Sequence, residues 1–265
     1  MTTNEMTKEE ADYNAYVMSR FRRPEASANS GLESPFRHTV KVGTEAPDFN
    51  GRLLDGGEIA LSRLRGQALV YLVFGPMTCP PCMVNIRGAR PSLVELYTEY
   101  QPKGFEFFWV YTRETHVGES ITRHASFEQK LAHARLFKDE YEVTFPIIVD
   151  SLSGEIHKKY GNPVNMSFLI DRDGMLVYKS DWTDTAELPG VFDNLLDWEA
   201  SKKSGVVSKV VYVEKLHYML RSNEIDLEAT RRVFERAGPQ SAEDIRKYWG
   251  IDPYTWQPLS EAPGR

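Results

Sequence analysis

Seven consecutive apolar positions, Ala68-Leu69-Val70-Tyr71-Leu72-Val73-Phe74, run without a polar interruption. An unbroken run of that length, lacking period-2 alternation, predicts a strand covered on both faces. Phe105-Glu106-Phe107-Phe108-Trp109-Val110-Tyr111 and Phe145-Pro146-Ile147-Ile148-Val149-Asp150 have a similar texture and predict a second and third core strand. Between these runs the apolar period lengthens to that of a helix. Leu93, Leu96, Tyr97 and Tyr100 mark a helical stretch that Gly88 and Pro91 kink or divide. Phe127, Leu131, Ala134 and Tyr141 mark an amphipathic helix over 126–141. A short helix is expected from Gly154 to Tyr160, and another over 186–200. Strands Met166 to Ile170 and Met175 to Tyr178 flank the turn Asp171-Arg172-Asp173-Gly174. A small hairpin, turning at Asp55-Gly56-Gly57, leads into the first core strand. Strands joined by helices and closed by a hairpin predict an α/β sandwich whose central sheet is mixed and mainly parallel.

The flanks have a different texture. Residues 7–22 predict an amphipathic helix, with Thr7 and Glu10 as a capping box. Pro24 to Pro35, rich in Ser, Ala, Asn and Gly, reads as a linker. The expected organisation is an N-terminal helix and linker over 1–40, the α/β domain over 41–200, and a helical C-terminal extension over 201–265. In that extension Val210, Val213, Leu216, Leu220 and Val233 offer an apolar face. It either packs on the sheet domain or serves a homodimer.

Charge narrows the partners. A net charge of −6, with no basic stripe interleaved with aromatics, argues against nucleic acid or an anionic membrane. No apolar run approaches the roughly 20 residues that span a bilayer. The first ten residues are polar and acidic with no apolar signal core, so a cytoplasmic location is expected.

The chemistry concentrates at Thr78-Cys79-Pro80-Pro81-Cys82, which holds the only two cysteines of the 265 residues. They follow the first core strand and open a helix. A C-x-x-C in that setting is the mark of a thioredoxin-like redox site. At a helix start Cys79 is expected to be exposed and to titrate low, because unpaired N–H groups and the macrodipole favour a thiolate. Cys82, one turn in, is expected to be more buried and to resolve a mixed disulfide. A zinc site needs about four ligands and no second Cys pair exists, so no metal is expected. His116 lies just past the second core strand, where ligands meet open α/β sheets, and reads as a proton donor or acceptor oriented by Glu114. His124, His133 and His157 fall in or near helical stretches and read as surface groups. Two thioredoxin landmarks are missing. Thr78 stands where a Trp usually precedes the nucleophile, and Val164-Asn165 replace the Thr-Pro pair whose cis-proline faces the disulfide.

Phe74-Gly75 followed by Thr78-Cys79-Pro80-Pro81 resembles the motif of the iodothyronine deiodinases, in which selenocysteine takes the place of Cys79. Val110 to His116, with Glu114-Thr115-His116 at its end, is similar to that family's segment ending in Glu-Ala-His. Phe145 to Asp150 and Tyr160-Gly161 match as well. The resemblance covers about residues 43–197 and implies a deiodinase-like branch of the thioredoxin-fold redoxins. It implies Cys79, Glu114 and His116 as catalytic groups, with Thr78 and Asn165 lining the substrate site. Asn165-Met166 replace the family's Glu-Arg pair, and Cys82 replaces a family Phe, adding a resolving thiol.

The expected function is a thiol-dependent oxidoreductase with no bound cofactor. It would be re-reduced by an external thiol such as thioredoxin or glutathione, and would act on a small-molecule or protein disulfide. Reductive dehalogenation of an aromatic ring, peroxide reduction, and a non-catalytic redox sensor or binding module stay open beside it. Peroxide reduction lacks the Thr three residues before the attacking Cys, since Pro76 holds that place before Cys79.

Overall fold

The computed structural model describes residues 35–207, 209–216, 226–255, 257 and 259. The helix expected over 7–22, nearly all of the linker and Leu220 lie outside the described residues. Eight strands form one sheet: β1 (Asn50–Leu53), β2 (Glu58–Ala60), β3 (Leu69–Gly75), β4 (Phe105–Tyr111), β5 (Ile147–Val149), β6 (Ser167–Ile170), β7 (Leu176–Ser180) and β8 (Val213–Lys215). Their order is β2-β1-β5-β4-β3-β6-β7-β8. The helices are α1 (Pro80–Met83), α2 (Leu93–Tyr100), α3 (Phe127–Glu140), α4 (Glu155–Tyr160), α5 (Leu188–Lys203), α6 (Leu227–Ala237) and α7 (Pro239–Trp249).

The unbroken apolar runs are central, as their texture requires. β3 pairs parallel with β4 from Leu69↔Phe105 to Gly75↔Tyr111. Alternate side chains then fill opposite faces of the sheet. Tyr71, Val73, Phe107 and Trp109 join one apolar cluster, whereas Val70, Leu72, Phe74, Phe108 and Val110 join the other. Phe192 of α5 seals the first face, its ring 5.2 Å from Tyr71 and 4.9 Å from Tyr100 and Phe105. The expected break near Gly88 and Pro91 is real: α1 continues into a π-helical turn, Val84–Gly88, and α2 restarts at Ser92. There the Ser92 hydroxyl accepts the Glu95 N–H while Glu95 accepts the Ser92 N–H, a reciprocal cap that fixes the new helix start.

Two expectations change. The sheet is mixed, but its parallel pairs are β3·β4, β4·β5 and β7·β8, against four antiparallel ones. Tight turns at 55–57 and 171–174 leave no room for a crossover, so β1·β2 and β6·β7 must run antiparallel. The C-terminal extension is also not wholly helical, because Val213–Lys215 adds a parallel edge strand to β7. Its alternation is too short to be seen as a strand in sequence. Among the described residues no helix is long and apolar enough to cross a membrane.

α6 packs across α1, and Val233 and Ala237 enter the same apolar cluster as Cys79, Cys82 and Met83. The backbone carbonyl of Ala237 accepts N–H groups from Ser120 at 2.9 Å and Ile121 at 3.2 Å. A Cβ on Gly118 would meet that carbonyl oxygen at 2.4 Å, so only glycine admits this approach. The apolar face considered for a homodimer is used, at Val233, within the chain.

Candidate active site

β3 and β4 end side by side at Gly75 and Tyr111, and the loops that leave them carry the chemistry. From Gly75 the chain turns through Pro76-Met77-Thr78 to Cys79, the N-cap of α1 with extended dihedrals of −102° and 106°. Pro80 and Pro81 fill the first two helical positions, where an N–H has no intrahelical acceptor to meet. Cys82 then comes back beneath Cys79, with its Sγ donating toward Cys79 Sγ at 2.7 Å. Both cysteines are unbridged. Gly75 makes room for this arrangement, since a Cβ there would sit 2.5 Å from Cys82 Sγ and 3.0 Å from the Trp109 ring. Trp109 Nε1 donates to the Gly75 carbonyl at 2.8 Å and holds that strand end in place.

Cys79 is not the exposed thiol that its position at a helix start suggests. It is 4% exposed and Cys82 is fully buried. α6 lies across α1, and its Val233 and Ala237 belong to the same apolar cluster as the two sulfurs. Burial pushes the Cys82 thiol well above its ordinary value, with the hydrogen bond and charge of Cys79 adding to the effect. The helix behind Cys79 is also a single α-turn before the π-helical segment.

The second half of the site comes from the loop after β4. Glu114 is completely buried, and one of its oxygens, Oε2, accepts the Thr78 hydroxyl at 2.7 Å and the Thr78 N–H at 3.2 Å. The other, Oε1, accepts a short hydrogen bond from the Tyr111 hydroxyl. His124 Nε2 approaches Oε1 to 3.4 Å and His133 Nδ1 to 3.9 Å. Burial alone would raise the Glu114 carboxyl. The contacts from His124, Tyr111 and Thr78 outweigh it and hold the group below the usual carboxylate range. Burial moves both imidazoles the other way, below the ordinary histidine value.

The Thr78 hydroxyl, expected in the substrate site, is engaged within the chain. It donates to Glu114 and accepts the N–H groups of Thr115 at 3.0 Å and His116 at 3.3 Å. A hydroxyl has one donor and two acceptor sites, so all three are in use. Thr78 therefore joins the turn that carries Cys79 to the Glu114 loop. Glu114 reaches the His116 backbone through that hydroxyl, while the His116 ring lies 5.5 Å from Phe234 of α6. Asn165 does stand beside the sulfurs, where its Oδ1 accepts from Cys82 Sγ at 3.6 Å and from Asn85 Nδ2 at 3.4 Å. Its Nδ2 is buried and makes no hydrogen bond within the described residues. Pro163 does not supply the missing cis-proline, since the cis peptide among the described residues is Arg90–Pro91.

The histidines expected on the surface are inside. His124 is 5% exposed, and His157 is fully buried with Nε2 2.8 Å from the Pro163 carbonyl oxygen. His133 shares the inward side of α3 with Lys130, three residues earlier and also fully buried. Lys130 Nζ donates to the Ser151 carbonyl at 2.9 Å, and burial lowers its pKa to about 8. The available signal in α3 was the stripe Lys130, Ala134, Phe137, whose helical spacing places a lysine in an apolar row.

The chain is similar to the thiol-disulfide oxidoreductases ResA of bacilli. It is 32% identical over 149 residues to the protein of Bacillus thuringiensis subsp. konkukian, covering 56% of this chain and 74% of that one. With the protein of Geobacillus thermodenitrificans it shares 35% identity over 136 residues, covering 51% and 66%. Among solved structures, the thioredoxin domain of a thiol-disulfide oxidoreductase from Bacteroides vulgatus overlays with a TM-score of 0.46 at 17% identity, covering 60% of this chain and 99% of that domain. The Redoxin family model matches residues 41–195, which span both cysteines, Glu114 and the whole sheet except β8. The chain belongs to the Redoxin family.

Proposed function

We propose that Cys79 is the attacking thiol and Cys82 the resolving thiol of a thiol–disulfide oxidoreductase of this family. The observation that carries the reading is the 2.7 Å approach of Cys82 Sγ to Cys79 Sγ at the start of α1. The Cys79 thiolate attacks one sulfur of a substrate disulfide and expels the other as a thiol after protonation. The Cys82 thiolate then attacks Cys79 sulfur in the mixed disulfide, releases the second substrate thiol and closes the Cys79–Cys82 disulfide. Two external thiol equivalents return the pair to the dithiol. The raised Cys82 thiol suits the second role, because it stays protonated until Cys79 has been consumed. The ResA relatives support the same reaction class. The cytoplasm, whose thiol pool supplies such a reductant, is the compartment we propose.

Cys82→Ser tests the assignment. The variant should accumulate a mixed disulfide on Cys79 that mass spectrometry detects, while Cys79→Ser should form none. Adducts on Cys82 with Cys79 substituted would reverse the roles.

The polar half of the site favours a second, narrower reading: deiodinase-type reduction of a halogenated aromatic. Its observation is the buried Glu114 carboxylate bound to the residue before the nucleophile. In that reaction Cys79 sulfur would take the halogen while the ring carbon accepts a proton through His116. Cys82 would then displace halide to give the same disulfide. Formation of the dehalogenated ring product from an iodothyronine, retained in Cys82→Ser for a single turnover with the halogen left on Cys79 sulfur, would support it; disulfide turnover with no dehalogenated product would remove it.

A further inference from the structure

We propose that Glu114, His124 and His133 form a binding site for one divalent first-row transition ion of the zinc class, behind the thiol turn. Two segments converge here: the loop between β4 and α3, which carries Glu114 and His124, and α3 itself, which carries His133. One ligand atom from each residue lies within 4.8 Å of the other two. Donors about 2.1 Å from a tetrahedral zinc stand about 3.4 Å apart, so small rotations of the two imidazoles close the set around an ion. Two imidazoles and a carboxylate are a donor set that such ions accept, with a fourth position left for water.

Two further observations point to a ligand. His133 Nδ1 is buried and makes no hydrogen bond, which is costly for a ring nitrogen unless something else occupies it. Glu114 is also held in the way metal-binding carboxylates are held. Thr78 takes Oε2 with two hydrogen bonds, and the Tyr111 hydroxyl donates to Oε1, which faces both imidazoles and keeps a second lone pair for an ion. The sulfurs are not part of this set, and the site stands whether or not the redox assignment does.

The test uses the full chain with Cys79→Ser and Cys82→Ser, so that no thiolate pair can chelate the probe. Calorimetric titration with ZnCl2 should show one equivalent bound at micromolar or tighter affinity. CoCl2 should give visible bands without a thiolate charge-transfer feature. In that background His133→Ala and Glu114→Gln should each weaken zinc binding at least about 100-fold, beyond the 10–100-fold typical of an outer-shell loss. His133 keeps 11% of its side chain exposed and is not one of the buried apolar residues of α3, which are Leu131, Ala134 and Phe137. Zinc should also raise the thermal midpoint of the parent but not of His133→Ala. No binding at millimolar zinc, or one-equivalent binding that both substitutions leave unchanged, would overturn the site.

Discussion

The two halves of the site meet at the peptide between Thr78 and Cys79 and are built in opposite ways. The sulfur half is local: four consecutive residues, a strand end and a glycine place Cys79 over Cys82. The carboxylate half is assembled from distant positions, with Tyr111, Glu114, His124 and His133 brought around one carboxylate. The sulfurs sit in an apolar cluster, whereas the carboxylate is surrounded by donors. The difference separates reactivity from positioning. The local half can exchange electrons by itself, and the dispersed half sets the geometry of the turn that presents it.

The largest expected effect lies in the sulfur half. Cys79→Ser should lower disulfide-reductase turnover by at least about 1,000-fold with the thermal midpoint nearly unchanged, as read by insulin reduction beside a melt. Retained turnover would move the chemistry away from this half. Thr78→Val should break the junction itself. It leaves Glu114 and two amides without the hydroxyl, at a cost of about 3 kcal/mol in urea unfolding. If Thr78→Val unfolds like the wild type, the two halves are independent. Gly75→Ala should be smaller, about 1–3 kcal/mol, since the new methyl group must push Cys82 or Trp109 aside. Faster alkylation of Cys82 in that variant would show the sulfur pair opening.

The smallest effect concerns Lys130, next to the dispersed half. Its folded-state pKa of about 8 lies below the unfolded value near 10.5. The unfolded chain therefore holds more protons than the folded one between those values, and this group's contribution to stability rises with pH there. Relative to Lys130→Met, the wild type should gain about 1 kcal/mol between pH 7 and 9 in urea unfolding. A flat difference would mean that Lys130 is solvated in solution.

The same contrast governs how much could be read from the sequence. β3, β4 and the C-x-x-C were legible because each is a contiguous signal: an unbroken apolar run, then two cysteines at one-turn spacing. Glu114 was found through a local tripeptide. His124 and His133 were missed because their burial is decided by tertiary contacts, and neither neighbourhood carries a pattern that distinguishes an inward histidine from an outward one. The burial of Cys79 was missed for a related reason, since the helix packed across α1 begins almost 150 residues later. Val213–Lys215 escaped notice because three residues are too few to establish a period.

The Ala237 carbonyl accepts two N–H groups from the loop between β4 and α3, and Ala237 lies well outside the stretch that matches the Redoxin family. The two cysteines lie within the family-matched stretch, whereas α6, which packs across α1, lies outside it. Substitutions along α6 would therefore change the packing around Cys79 and Cys82 from outside the family-matched stretch, leaving every residue of the C-x-x-C turn as it is.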